Sequence, residues 1–282
     1  MKFYAYFNGR ILPAKDVRIG ISDLGLLRSY AVFDYMRTYN GIPFYADAHL
    51  TRFFNSASEL HLSIPCSKKR IKKIIGNLLA KGKCHEAGIR LMLTGGYAND
   101  SMTLNHPNFI ILTEKLPHYP DEIYKNGVKL ITYEYQRVLP LVKSTNYLTA
   151  IRLKSLLNRK NAYEVLYCYK GEILEVSRNN FFMVKRGVIV TPSENVLHGI
   201  TRKIILDLAS GKFKVRERKI KLSELNLADE AFICGTSKRI VPVVKIDTNR
   251  IGTGRPGPIT REIMNMFSKL TLKYTGEANR KK

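Results

Sequence analysis

The spacing of apolar residues divides the first third of the chain into strands, tight turns and helices. Residues 3–10 and the chain from Ile11 onward predict two strands joined by an Asn8-Gly9 turn, which is a strong hairpin signal. Residues 32–39 suit a buried strand that ends in an Asn40-Gly41 turn. Apolar residues then recur at helical spacing, with His49 and Arg52 one turn apart on the first helix. The predicted helices span residues 46–60 and 68–80.

The remaining pattern predicts an α+β fold with two domains. Residues 1–116 form a small α+β domain whose strands, including residues 88–94 and 109–113, are expected to pair antiparallel. Residues 117–122 contain two prolines and no clear period, which is typical of a linker. Residues 123–282 form the larger second domain. Its predicted strands are residues 127–133, 164–169 and 230–234, and its predicted helices are residues 146–160 and 199–209.

Composition points to a cytoplasmic protein. Of the 282 residues, 45% are hydrophobic, yet no apolar run is long enough to span a bilayer, and the opening MKFYAYFNGR lacks the apolar core of a signal peptide. Cys66, Cys84, Cys168 and Cys234 are scattered without a CxxC pair, so we expect reduced thiols and no metal site. No membrane partner is expected.

The formal net charge of +24 would suit an anionic partner. Basic clusters occur at residues 68–73, 212–221 and 280–282, but the remaining basic residues are spread along the chain. Such clusters are usually solvated faces of helices or strands, so we expect acidic metabolites and no nucleic acid as partners.

Lys143 is the first candidate for chemistry. Apolar residues from Pro140 to Val142 precede it and polar residues from Ser144 to Asn146 follow it, where a strand is expected to give way to a helix. An amine held out of water there would have a lowered pKa, which would populate the neutral nucleophile that forms Schiff bases. A surface lysine in a basic chain is the alternative interpretation.

Two short segments could bind an anion. Gly199-Ile200-Thr201 opens a predicted helix, where free backbone amides and the helix dipole attract phosphate. Gly235-Thr236-Ser237 follows a predicted buried strand and offers two hydroxyl groups. Arg52 could add the hydrogen-bond donors of its guanidinium. The alternatives are that Arg52 is an exposed helix arginine and that the Gly199 segment is only a helix cap.

Glu175 lies between Leu174 and Val176, just ahead of a turn, so its carboxylate is expected at a strand end near the core. A buried carboxylate needs a cationic or protonated partner. A protonated pyridine ring would serve, and so would a salt bridge with an arginine such as Arg178.

Five motifs in this order resemble the class IV, or fold type IV, pyridoxal-phosphate enzymes, which comprise branched-chain aminotransferases, D-amino-acid aminotransferases and aminodeoxychorismate lyases. The resemblance extends over nearly the whole chain. The motifs are AHLTR at residues 48–52, KSTNY at 143–147, LEVSRNNFF at 174–182, LHGITR at 197–202 and LADEAFICGTS at 227–237.

The resemblance implies a role for each matching residue. Lys143 is similar to the lysine that holds pyridoxal phosphate covalently and moves the proton between substrate Cα and cofactor C4′. Glu175 is similar to the acid that pairs with the pyridine nitrogen. Tyr147 resembles the tyrosine near the phenolic oxygen, although it stands one position closer to the lysine than in branched-chain enzymes. The residues that resemble phosphate ligands are Arg52, Ile200, Thr201 and Thr236.

The same resemblance implies an active site between the two domains, completed by a second subunit, and therefore a homodimer. The candidate substrate-binding residues are Phe33, Tyr35, Arg90, Gly235 and Ser237. Tyr35 replaces a glycine that lines the substrate pocket in the family, so we expect an altered pocket. Arg90 and Arg37 are candidates for binding a carboxylate, with a structural ion pair as the alternative for each.

These observations favour an aminotransferase that acts on an amino acid and a 2-oxo acid and is closest to the branched-chain enzymes. Residues 94–99, TGGYAN, lack the arginine and histidine that hold the substrate carboxylate in D-amino-acid enzymes. A lyase that releases pyruvate from aminodeoxychorismate is the alternative within the family. A basic binding protein that has lost the chemistry is the alternative from another class.

Overall fold

The chain divides into two compact units in the computed structural model, which describes residues 2–279. Of the described residues, the first unit contains 2–117, the segment Val142–Asn146 and 274–279. The second unit contains His118–Leu141 and Tyr147–Lys273. Lys143 thus belongs to the first unit, although the chain on both sides of its segment belongs to the second. The basic cluster at residues 280–282 lies outside the described residues.

The first unit is built on an antiparallel sheet, as predicted. Its strands run across the sheet in the order β2-β1-β6-β5-β3-β4. Asn8-Gly9 joins the first two strands and Asn40-Gly41 joins β3 to β4, so both predicted turns are confirmed. The strands are β1 Tyr4–Phe7, β2 Arg10–Pro13, β3 Ala31–Tyr39, β4 Ile42–Pro43, β5 Gly88–Thr94 and β6 Phe109–Glu114, and the helices are α1 Leu24–Leu27, α2 Ala46–Glu59 and α3 Lys68–Gly82.

The alternation of β3 gives the sheet of the first unit two different faces. Val32 and Met36 are fully buried and belong to the core that α2 and α3 cover with residues such as Phe53 and Ile75. Phe33 and Tyr35, on the opposite face of β3, are only partly buried. That second face therefore carries the aromatic residues that were predicted to contact substrate.

The second unit contains a mixed sheet. The strands run in the order β12-β11-β10-β14-β15-β7-β8-β9-β13, and β16 pairs with β15. Three of its pairings are parallel: β11 with β12, and the adjacent pairings of β15 with β7 and β7 with β8. The strands are β7 Val128–Glu134, β8 Glu164–Tyr169, β9 Glu172–Val176, β10 Asn180–Lys185, β11 Val188–Thr191, β12 Val215–Glu217, β13 Ile220–Lys221, β14 Glu230–Gly235, β15 Arg239–Ile246 and β16 Asn249–Arg250.

The helices of the second unit agree only in part with the prediction. The helix expected over residues 146–160 starts two residues later and is divided at Leu153 into two short helices. Just before that start, the N–H of Thr145 donates to the carbonyl of Ala31 on β3, which holds residue 145 outside the helix. The long C-terminal helix was not predicted. The helices are α4 Glu122–Lys125, α5 Leu148–Arg152, α6 Lys154–Arg159, α7 Ile200–Ser210 and α8 Pro258–Asn279.

The N-terminus of α8 is capped by a carboxylate from a distant strand. Glu230, buried on β14, accepts hydrogen bonds from the N–H groups of Ile259 (3.0 Å) and Thr260 (2.7 Å). We expect Glu230→Ala to lower the free energy of unfolding by about 1–2 kcal/mol, because two helix donors lose their acceptor. Glu262→Ala, which removes an exposed pair with Lys212, should cost less than about 1 kcal/mol. Equal losses in urea unfolding would contradict this role of Glu230.

Three further observations concern the whole described chain. All four cysteines are free thiols. None of the helices within residues 2–279 is long and apolar enough to cross a bilayer. Over those same residues, no cluster of three or more His, Cys, Asp and Glu side chains could hold a metal ion.

Candidate active site

Backbone hydrogen bonds fix Lys143 against the edge of β3. The N–H of Phe33 donates to the Lys143 carbonyl (2.9 Å), and the N–H of Lys143 donates to the hydroxyl of Ser56 (3.1 Å). Ser144 forms a further bridge with Val32 on the same strand. The Lys143 ammonium lies 4.6 Å from the centre of the Phe33 ring. The lysine is therefore presented from a fixed backbone, beside the partly buried aromatic face of the first unit.

A buried cluster of Asp34, His49 and Arg52 occupies the same unit. Asp34 is fully buried on β3 and accepts two hydrogen bonds from Arg52, at 2.8 Å from Nε and 2.9 Å from Nη2. Its Oδ1 also lies 2.7 Å from Nδ1 of His49. Burial alone would raise the pKa of Asp34, but the charge of Arg52 and the hydrogen bonds from Arg52 and His49 outweigh it and hold that pKa well below its ordinary value. Asp34 therefore orients the guanidinium of the candidate phosphate ligand Arg52.

His49 contributes to the cluster as a neutral ring. Burial lowers its pKa more than the nearby carboxylate of Asp34 raises it, and the charges of Arg52 and Lys143 lower it further. A neutral imidazole can donate its Nδ1–H to Asp34. The negative charge of the Asp34 carboxylate and the positive charge of the Arg52 guanidinium then cancel inside the cluster. Lys143 is close enough for its charge to lower the pKa of His49.

Arg90 lies opposite Tyr35 in the sheet of the first unit and already forms an ion pair. Glu114 accepts from its Nε (3.1 Å) and from its Nη2 (2.6 Å). The same guanidinium lies 5.1 Å from the centre of the Tyr35 ring and 5.7 Å from that of Phe33. The structural ion pair, which was the alternative for Arg90, is thus present. Arg37 likewise pairs with Glu86 at 2.9 Å.

Glu175 is buried at the end of β9 in the second unit, and its cation is Arg137. Nε of Arg137 donates to Oε1 of Glu175 at 2.8 Å, and another nitrogen of the same guanidinium donates to the carbonyl of Pro140. The N–H of Leu197 donates to Oε2 of Glu175 at 3.1 Å. Arg178 was the example given of a possible salt-bridge partner, but it pairs with Glu164. Arg137 and Leu197 reach Glu175 from loops distant in sequence, so residue spacing alone did not reveal them.

The two predicted anion-binding segments both pack against the turn that follows Glu175. Asn180 donates from Nδ2 to the carbonyl of Leu197 (2.7 Å), and a Cβ on Gly199 would collide with its Oδ1. A Cβ on Gly235 would collide with Nδ2 of the Asn179 side chain. Glycine is required at both positions because the asparagine side chains occupy the space a larger residue would need.

The hydrogen-bond donors in these segments suit a phosphate group. Ile200 and Thr201 are buried in the first turn of α7, which has eleven residues and whose N-terminal cap Gly199 has no side chain to cover the amides. Thr236 and Ser237 follow β14 and are partly exposed. Tyr147 stands at the N-terminal cap of α5, where its carbonyl accepts from the N–H of Ile151.

The structure brings the predicted residues together in two sets. The first unit groups Lys143 with Phe33 and Arg52, and the second unit groups Glu175 with the segments at residues 197–201 and 235–237. The first set contains the amine of Lys143 and the guanidinium of Arg52, and the second contains the carboxylate of Glu175 and the donors of the two anion-binding segments. Asp34 and Arg137 were missed as partners, although the alternation of β3 placed the Asp34 carboxylate on a core face, where it needed a cation.

Comparisons with known proteins find similarity along most of the chain. Residues 31–246 match the model of the family described as amino-transferase class IV. The chain is 32% identical to the putative branched-chain-amino-acid aminotransferase of Methanocaldococcus jannaschii, with 95% of this chain and 96% of the relative covered. It is 30% identical to the D-alanine aminotransferase of Bacillus licheniformis, with 96% of this chain and 98% of the relative covered.

A solved structure shows the same fold. The branched-chain amino acid aminotransferase from T.th. with pyridoxamine 5'-phosphate superposes with a TM-score of 0.89 at 24% identity, and covers 96% of this chain and 94% of its own.

Proposed function

The chain belongs to the class IV aminotransferases and is a transaminating enzyme, and from this premise we propose that it uses pyridoxal phosphate to exchange amino groups between an amino acid and a 2-oxo acid. The relative of known structure carries pyridoxamine 5'-phosphate, and the donors in both units suit that group. When bound, the cofactor supplies an electron sink for the carbanion formed at the substrate Cα.

The side chains of this protein have separate tasks in that reaction. Lys143 would hold the cofactor covalently and carry the proton to and from the substrate Cα. Glu175, which Arg137 keeps in place, would hold a proton on the pyridine nitrogen. The phosphate group would be bound by Arg52, Ile200, Thr201 and Thr236, with Tyr147 near the phenolic oxygen.

The observation that carries this proposal is the placement of Lys143. Its backbone is held by β3 and Ser56 and its amine lies over Phe33, beside the Asp34 cluster that orients Arg52. A surface lysine has no comparable framework. The amine and the phosphate ligand of the first unit are thereby kept in a fixed relation, which favours catalysis.

We infer that the substrate is of the branched-chain type and that Tyr35 reshapes its pocket. The hydroxyl of Tyr35 fills the space above Gly88, and its ring lies under Arg90. An aromatic ring at that position narrows the room for a substrate side chain. The absence of an arginine and histidine pair from residues 94–99 supports an L-amino acid, although D-alanine aminotransferases are also among the relatives.

The role of Tyr35 predicts a change in substrate preference. We expect Tyr35→Gly to raise the ratio of kcat/KM for leucine over that for alanine by about tenfold, because removal of the ring admits a larger side chain. Tyr35→Phe keeps the ring and should leave the ratio within about twofold. Steady-state kinetics with both amino acids would measure the ratio, and an unchanged ratio in Tyr35→Gly would contradict the altered pocket.

The proposed reaction is tested by the visible absorption spectrum of the purified protein with pyridoxal phosphate. A band from the lysine-bound cofactor should appear, and one class of L- or D-amino acid should bleach it. Subsequent addition of a 2-oxo acid should restore it. Pyruvate release without an amino acceptor would favour the lyase, while a protein that stays colourless with the cofactor would favour a binding protein.

We further propose that the enzyme is a cytoplasmic homodimer. Large apolar side chains in the second unit are exposed, including Val138 (80%), Leu148 (75%) and Ile151 (70%). Such residues are typical of a surface covered by a second subunit. Four free cysteines fit a reducing compartment. Analytical ultracentrifugation should give twice the chain mass, and a monomer would contradict the dimer.

A further inference from the structure

A buried lysine directly follows the segment Gly235-Thr236-Ser237. Lys238 is 3% exposed, and its ammonium lies 3.4 Å from Oε2 of Glu164 and 3.3 Å from Oδ1 of Asn179. The Tyr163 ring is centred 4.6 Å from the ammonium and the Tyr119 ring 5.9 Å from it. Burial lowers the pKa of Lys238 to about 8, with Glu164 acting in the opposite direction. The ammonium is therefore held in one position by a carboxylate, an amide oxygen and two aromatic rings.

One partner of Lys238, Asn179, lies in the turn that follows Glu175, and the other, Glu164 at the start of β8, is hydrogen-bonded to that turn. Glu164 is 2% exposed, and its second oxygen accepts from the hydroxyl of Ser177 at 2.8 Å. The amide group of Asn179, whose oxygen meets Lys238, has its nitrogen against Gly235. The ion pair between Lys238 and Glu164, together with the hydrogen bond from Ser177 to Glu164, thus links the turn after Glu175 to the segment that contains Thr236.

The backbone around Lys238 is held as well. The hydroxyl of Tyr124 donates to the carbonyl of Lys238 at 3.1 Å, and the hydroxyls of Tyr119 and Ser237 lie 3.1 Å apart. The segment between Gly235 and Lys238 is therefore fixed on both sides. Hydrogen-bond donors that are fixed in advance bind an anion more tightly than mobile ones, because less freedom is lost on binding.

We propose that Lys238 is a positioning residue for the phosphate group of the cofactor: paired with Glu164, it holds Thr236 and Ser237 in the arrangement that binds a phosphate monoester. This inference rests on the proposed function, since the phosphate is that of pyridoxal phosphate. Lys238 donates its own hydrogen bonds to Glu164 and Asn179. It would affect phosphate binding indirectly, by fixing the conformation of the adjacent residues Thr236 and Ser237.

A purely structural ion pair makes a different prediction. Lys238→Met leaves the buried carboxylate of Glu164 with only Arg178 and Ser177 as partners, and Glu164→Gln leaves the buried ammonium of Lys238 without its countercharge. Each single variant should therefore lower the melting temperature. The double variant removes the ammonium and the carboxylate charge together, so it should recover part of that loss. If the pair serves only the fold, phosphate affinity should recover together with the melting temperature. If Lys238 positions the loop, affinity should stay low in the double variant.

The experiment compares pyridoxal phosphate with pyridoxal, which lacks the phosphate. Both are titrated by visible absorbance into the wild type, Lys238→Met, the double variant and Lys245→Met, a control at an exposed lysine of β15. We expect the Kd for pyridoxal phosphate to rise about tenfold in Lys238→Met and in the double variant, with that for pyridoxal within about twofold and the control unchanged.

Two results would overturn the inference in distinguishable ways. A double variant that regains both its melting temperature and the wild-type preference for pyridoxal phosphate would reduce the pair to a structural role. A wild type that binds both compounds equally well, or neither, would contradict the phosphate site itself and with it the proposed function.

Discussion

Lys143→Ala is expected to abolish the visible absorption band of the bound cofactor and to lower transamination by at least about 10³-fold. Both losses follow from removal of the amine that holds the cofactor and moves the substrate proton, a loss of the size seen when a catalytic nucleophile is deleted. The fold should persist, since Phe33, Ser56 and Ala31 bond to backbone atoms of residues 143 and 145. Single-turnover kinetics and the absorption spectrum would measure the effect.

Lys73→Ala provides the matched control for this variant. Lys73 is an exposed lysine on α3 in the same unit. Its removal changes the net charge equally and should leave the spectrum and the rate unchanged. Wild-type turnover by a correctly folded Lys143→Ala protein would exclude Lys143 as the catalytic amine.

Asp34→Ala is expected to lower the free energy of unfolding by about 3–5 kcal/mol, the cost of leaving a buried charge without its partner. Arg52 would keep its guanidinium only 11% exposed without the carboxylate that now binds two of its nitrogens. The double variant Asp34→Ala, Arg52→Met should regain part of that loss because no unpaired charge remains. Urea unfolding of the two variants and the wild type would show whether the double variant is the more stable of the two.

The same cluster predicts how stability depends on pH. The pKa of Asp34 is lowered in the folded protein, so its contribution is complete above the unfolded value of 3.8 and is lost as the pH falls through the folded value. His49, whose folded pKa is also lowered, opposes folding increasingly as the pH falls through its unfolded value of 6.5. Asp34→Asn should therefore show a shallower loss of stability on acidification, and an identical slope would contradict the assignment.

Residue order alone was sufficient to identify the family and to nominate candidate site residues. Lys143, Glu175 and the segments at residues 199–201 and 235–237 lie in short motifs whose order could be recognised without coordinates. The Asn-Gly turns and most of the strands were also predicted correctly, because turn geometry and alternation depend on neighbouring residues. The family match confirms the recognition.

The partners of those residues could not be obtained in the same way. Arg137 stands 38 positions before Glu175, and Glu164 stands 74 positions before Lys238. Each pair depends on which strands are neighbours and in what register. In the β7 and β8 pairing, for example, Leu130 lies opposite Glu164. Nothing in the local pattern specifies such a pairing.

The helix predicted over residues 146–160 shows the same limit. Helical periodicity was recognised there, but the start of the helix was wrong because Ser144 and Thr145 bond to β3, more than a hundred positions earlier. By itself, the sequence determined the local elements, the family and the candidate amine. The tertiary structure alone decided which charges meet, because a buried charge takes whichever partner the packed strands bring within hydrogen-bond distance.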